Sequence, residues 1–82
     1  MPEFTKTERK IIAMLADGRR HRVDEMEESV LTNGEYENKR VALQMHISNI
    51  RKLLRPIGQD IICQLHSGKK HYIHVRLIGT GE

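Results

Sequence analysis

Tryptophan is absent from this 82-residue chain, phenylalanine occurs once and tyrosine twice, so any core must be aliphatic, built from Ile, Leu, Val and Met. A single cysteine cannot close an internal disulfide, which excludes a secreted, stapled mini-protein and favours a reducing, cytoplasmic setting. No apolar run approaches a membrane span, and Met1-Pro2-Glu3-Phe4 does not open a signal peptide. Repeats, low-complexity tracts and linkers are missing too, leaving one domain, residues 1–82, near the lower limit for a self-sufficient core.

Acid is missing in a more pointed way. None occurs between Asn38 and Gln59, nor between Ile61 and Gly81. Residues 1–37 hold six Lys/Arg against nine Asp/Glu, whereas residues 38–82 hold eight against two, so the net charge of +3 conceals halves of −3 and +6. Such a dipole draws a polyanion to the second half, and nucleic acid is the favoured partner.

Thr5-x-x-Glu8 has the spacing of a helix capping box, and Ile11, Ile12 and Leu15 follow at helical spacing until Asp17-Gly18. Arg19-Arg20-His21-Arg22 reads as an exposed basic loop. A shorter helix begins near Val23 with Asp24 and Glu25 at its positive end, buries Met26, Val30 and Leu31, and stops at Thr32-Asn33-Gly34. Glu35 to Asn38 connects it to a long third helix, terminated by Pro56 and Gly58. In that helix Leu43, Ile47, Ile50 and Leu54 form one stripe, flanked by His46 and Leu53. Gln44, Met45, Ser48, Asn49, Lys52 and Arg55 lie opposite, with Arg51 on a shoulder.

The periodicity then changes to that of strands. Ile61 to His66 and His71 to Ile78 are β-rich runs joined by Ser67-Gly68-Lys69-Lys70, whose glycine can take positive φ. In the second run Tyr72, His74, Arg76 and Ile78 share one face; Ile73, Val75 and Leu77 share the other, which is apolar throughout and is expected to lie on the helices. The expected fold class is α+β, a winged helix-turn-helix of three helices (about 5–17, 23–31 and 38–55) followed by a C-terminal hairpin wing (about 61–66 and 71–78).

These residues resemble the OmpR/PhoB-type winged-helix DNA-binding domain over roughly residues 4–78. Phe4-Thr5-x-x-Glu8 is similar to its L-T-x-x-E opening, and Glu25-Met26 with Val30-Leu31 to its E-E-L and V-W. Leu43 to Leu54 resembles its third-helix run V-D-V-H-I-x-R-L-R-K-x-L, with His46 at the family's histidine. Leu65-His66-Ser67-Gly68 with Tyr72 is similar to its V-R-G-x-G-Y hairpin. The family's Asp, Arg and Arg on the reading face become Gln44, Ser48 and Asn49, and the Arg before the run falls at Val41, with Lys39 and Arg40 nearby. The family's sequence preference therefore does not transfer. Its receiver domain and the small sheet before the first helix have no counterpart here, which suits a stand-alone bacterial or phage regulator.

The resemblance and the charge pattern together imply a double-stranded DNA-binding protein of transcription control. Gln44, Met45, Ser48, Asn49 and Arg51 are the candidate base readers: amides suit adenine, guanidinium suits guanine, and an apolar tip suits the thymine methyl. Lys39, Arg40, Lys52, Arg55, Lys69 and Lys70 are the candidate phosphate ligands. The free protein is expected to be monomeric and to pair head-to-tail on direct repeats, as the resembled family commonly does, or to be held at a promoter by a partner. The competing reading is a winged-helix module that binds RNA polymerase or another regulator, for which exposed Met45 leaves room.

Nucleophile elbow, P-loop, dinucleotide fingerprint and paired-carboxylate motif are all missing, so neither enzyme nor cofactor is expected. The acids at Asp24, Glu25, Glu27 and Glu28 read as a solvated face. His66, His71 and His74 near Cys63 invite a zinc reading, but His71 and His74 face opposite ways on a strand and no metal-ligand spacing is present. His46, beside the apolar stripe, reads as a packed, hydrogen-bonded histidine.

Overall fold

The computed structural model describes residues 4–31 and 38–77. The expected stop at Thr32-Asn33-Gly34 and the connector over 35–37 fall outside these residues, as does Ile78. The described chain is an α+β fold, with helices α1 (Lys6–Leu15), α2 (Val23–Val30) and α3 (Lys39–Leu54), and strands β1 (His21–Arg22), β2 (Gln59–His66) and β3 (Lys69–Arg76).

Reciprocal bonds start α1: the Thr5 hydroxyl accepts the Glu8 N–H at 3.1 Å, and the Glu8 carboxylate accepts the Thr5 N–H at 3.1 Å. The helix stops at Leu15, two residues short of the expected end, because the Ala16 N–H tightens back onto Ala13 and Gly18 turns left-handed with φ +74°. Arg22, at the N-cap of α2, makes no side-chain cap bond; Asp24 instead accepts from its guanidinium at 2.7 Å. Asn38 caps α3 by accepting the Val41 N–H at 3.1 Å. Pro56 and left-handed Gly58 bound the 3-10 turn Arg55–Ile57 that ends α3.

Three further features depart from expectation. His21-Arg22, read as loop, forms a two-residue strand that pairs antiparallel with β3, His21 opposite Tyr72 and Arg22 opposite His71. Two residues carry no readable periodicity, and the pairing is supplied by the backbone groups on the edge of β3 that β2 leaves unpaired. The sheet order is therefore β1-β3-β2. The hairpin is also tighter than the four-residue connection expected. Ser67 and Gly68 alone make the turn, with φ of 54° and 76°, so Lys69 and Lys70 are the first residues of β3. Positive φ at both central residues matches the right-handed twist of the flanking strands.

The face of β3 is the third correction. Ile73 and Val75 are only half-buried and Leu77 is 42% exposed, whereas Tyr72 on the other face is 8% exposed and joins the core. Register explains this: Tyr72 lies opposite Cys63 and His74 opposite Ile61, so Tyr72 shares the face of fully buried Ile61. His74 tolerates that face because its Nε2–H donates to Gln59 at 2.8 Å. An aromatic ring brings more surface to bury than a β-branched residue, and Ile73 is instead flanked by Gly18, Arg19 and Arg20.

Ile11 and Leu15 of α1, Val23, Met26 and Val30 of α2, Leu43, Ile47, Ile50 and Leu54 of α3, and Leu31, Ile61 and Tyr72 make one core. Each such aliphatic side chain contributes about 1.5–3 kcal/mol on burial. The stripe read on the third helix is thus its buried side.

Candidate nucleic-acid interface

Burying Leu43, Ile47, Ile50 and Leu54 turns Val41, Gln44, Met45, Ser48, Lys52 and Arg55 outward, and all six are exposed. The middle of this face has an apolar pair one turn apart, Val41 (48% exposed) and Met45 (63%). Its two shoulders are held from below by carboxylates of other elements.

On the α1 side that carboxylate is Glu8, 3% exposed. Beyond capping α1, its Oε2 accepts from His46 Nδ1–H at 2.9 Å and from Asn49 Nδ2–H at 3.4 Å. Burial pushes the Glu8 carboxyl up, but the hydrogen bonds from His46, the Thr5 backbone and Asn49 outweigh it, leaving its pKa below the ordinary value. His46 is hydrogen-bonded as its position beside the apolar stripe implies.

On the sheet side stands Asp60, the one acid between Asn38 and Gly81. Its Oδ1 accepts from Arg51 Nε–H at 2.9 Å and from the Ile61 backbone at 2.8 Å, and Arg55 Nε lies 3.5 Å from Oδ2. Burial again pushes this carboxyl up, and the Arg51 and Ile61 hydrogen bonds with the two guanidinium charges carry it below its ordinary value. Arg51, a candidate base reader, thus has its Nε–H engaged, and Arg55 is drawn to the same acid.

The first turn of α3 is balanced against α2. Arg40 pairs with Glu27, and Lys39 Nζ lies 3.8 Å from Glu28. These acids, read as a solvated face, are counter-ions. Lys52, Lys69 and Lys70 form no ion pair among the described residues.

The structure gathers five of the six candidate phosphate ligands into two groups, the first shared with two candidate base readers. Ser48, Arg51, Lys52 and Arg55 line a shallow depression of about 140 Å³ on α3. Arg40, Lys69 and Lys70 line an open cleft of about 280 Å³ with Val23, Asp24 and Gly68, between the start of α2, the first turn of α3 and the hairpin tip. Lys39 belongs to neither. Gln44, Met45, Ser48 and Asn49 all fall on the exposed side, Asn49 at its α1 edge.

Glu8 and Asp60 are what sequence reading misses. Glu8 has a local role that accounts for it, and its α3 partner Asn49 lies 41 residues away. Asp60 did carry a signal, as a lone acid in a long basic stretch. The hairpin histidines are separately occupied: His71 Nδ1–H donates to the Lys69 carbonyl at 2.9 Å, and His66 meets His71 edge-on at 5.7 Å between ring centroids. No three of His, Cys, Asp and Glu converge among the described residues, and no described helix is long and apolar enough to cross a membrane.

No family model matches the chain, and neither a curated protein nor a solved structure does.

Proposed function

We propose that this chain is a sequence-specific double-stranded DNA-binding protein acting in transcription regulation, a winged helix-turn-helix whose α3 enters the major groove and whose β2–β3 hairpin is the wing. One observation carries the reading. The exposed side of α3 is free of acid and combines amides, a hydroxyl and an apolar pair with Lys52 and Arg55, while Lys69 and Lys70 share a cleft with Arg40 of the same helix. Amides and hydroxyls match base edges, and cations match the phosphates on either side of the groove. The likeness of α3 to the OmpR/PhoB helix run supports the same docking. In this reading the protein is a binding module rather than an enzyme and works in the cytoplasm.

Titration of binding against salt tests the proposal. Phosphate neutralisation gives a linear fall of log affinity with log salt, with a slope of about −0.9 per phosphate contacted. A flat response, or no binding to random or genomic duplex, refutes it. A protein-interaction module is the second reading, favoured by exposed Val41 and Met45; it predicts binding to polymerase or another regulator without duplex.

A single module of this kind buries on the order of 600–1,000 Å² of protein surface on DNA. One copy therefore binds modestly. The free protein is monomeric in this proposal, and a second, correctly spaced half-site sharply raises apparent affinity in a gel-shift titration. Equal affinity per site at every spacing rules out pairing.

A further inference from the structure

Asn49 stands at the α1 edge of the exposed face, and its amide is not free to turn. Its Nδ2 lies 3.4 Å from Glu8 Oε2, the oxygen that also accepts from His46 at 2.9 Å. Glu8 is almost wholly buried and its carboxyl is held below the ordinary pKa, so near neutral pH it is an anion that can only accept. Turned the other way, the Asn49 carbonyl would face a carboxylate oxygen, setting two acceptors against each other and stripping Glu8 of a donor. Only one amide orientation satisfies both residues.

That orientation decides what Asn49 offers outward. One amide N–H is spent on Glu8, leaving one N–H donor and the Oδ1 acceptor. Adenine presents the complement in the major groove, N7 as acceptor and the N6 amine as donor. Guanine presents two acceptors, N7 and O6, and its O6 would meet the Asn49 carbonyl.

We propose that Glu8 is a positioning residue for base recognition: by taking one amide N–H of Asn49, it sets that side chain to read adenine and reject guanine. The inference rests on α3 being the groove helix. Glu8 itself touches no DNA. A residue of α1, read from sequence only as a cap, thereby sets specificity through α3.

The test uses the full chain and a duplex selected from a random pool, scanned for the position whose preference vanishes in Asn49→Ala. Wild type should favour adenine over guanine there by about 5-fold to 150-fold. Glu8→Gln has a single oxygen: kept on the Thr5 N–H, it turns an NH2 group toward Asn49 and removes the acceptor that sets the amide. Its adenine-to-guanine ratio should fall by about 3-fold to 10-fold, the order expected when one side chain loses its pre-set geometry. A purely structural role for Glu8 would weaken both duplexes equally and leave the ratio unchanged, which overturns the proposal. A thermal unfolding transition verifies that the variant folds. Should it not fold, the unbound wild-type protein still decides the matter: a nuclear Overhauser contact between the Asn49 side-chain NH2 and the Glu8 side chain is expected, and its absence overturns the proposal. Sequence-selective binding that ignores Glu8 sinks this inference alone. No duplex binding at any salt sinks the docking of α3 with it.

Discussion

The two flanks of α3 are held by the same chemical group to opposite electrical effect. Against α1, the Glu8 carboxylate is satisfied by a backbone N–H, a histidine and an amide. Against β2, the Asp60 carboxylate is satisfied by a backbone N–H and two guanidinium groups. The Asp60 flank uses up positive charge that would otherwise face a polyanion. The Glu8 flank uses no Lys or Arg and fixes the direction of a neutral amide. Geometry is set on one side and charge on the other.

The largest test of this contrast is stability. Glu8→Ala removes the carboxylate's half of the reciprocal cap and both bonds to α3, and should lower unfolding free energy by about 2–3 kcal/mol in urea titrations. Asp60→Ala should cost about 1–2 kcal/mol, less than a fully buried pair, because Arg51 and Arg55 lie partly in water. If Asp60→Ala is the costlier, charge rather than capping dominates the packing of α3.

Acid should expose both flanks together. Each carboxyl is held below its ordinary pKa in the folded protein, so as pH falls the unfolded chain takes up protons first. The stability they contribute is complete above the unfolded carboxylate range and is lost as pH falls through their lower folded values. A Glu8→Gln/Asp60→Asn double variant should show a flatter decline across that window. An unchanged decline assigns acid sensitivity to other groups.

On the proposed DNA complex, paired and unpaired cations should separate. Lys52→Ala should make the salt slope shallower by about 0.9, as a full phosphate contact requires. Lys39→Ala should change it less, since Glu28 already offsets that charge. Equal changes would mean that the α2 acids release their partners on binding.

Met45→Ala should have the smallest effect on the isolated protein, within about 0.5 kcal/mol, because its side chain is mostly in water. Its effect belongs to recognition: affinity should drop for duplexes with thymine at one position and not for the same duplexes carrying uracil. An equal drop on both would remove the methyl contact.

What could be read in advance follows interaction range. The capping box at Thr5, the stripe from Leu43 to Leu54 and the positive φ at Gly68 are local patterns, and each has its expected form, although the hairpin turn around Gly68 is two residues shorter than expected. The β1 strand was hidden because two residues cannot show a period and the pairing partner lies some fifty residues on. Alternation along β3 names two faces without saying which one meets the helices, so the buried face cannot be read from that strand alone. Register with Ile61 decides that, and register is a property of two strands. The outward residues of α3 followed from its buried stripe, but the acids beneath its shoulders did not, since Glu8 and Asp60 reach α3 from other elements.

Tyr72 also makes the protein its own optical gauge. With no tryptophan in the chain, tyrosine dominates the ultraviolet signal, and among the described residues Tyr72 is the tyrosine built into the core. Burial pushes its phenol pKa up, aided by nearby Cys63 and opposed by Arg40 and Arg51. Its share of stability is complete below the unfolded phenol pKa and is lost as pH rises through the folded one. In alkali, therefore, the Tyr72 phenolate should appear at higher pH in the folded chain than in the same chain unfolded in urea. A spectrophotometric base titration of a Tyr36→Phe variant, in which Tyr72 is the one tyrosine, then follows that shift with no dye or label attached.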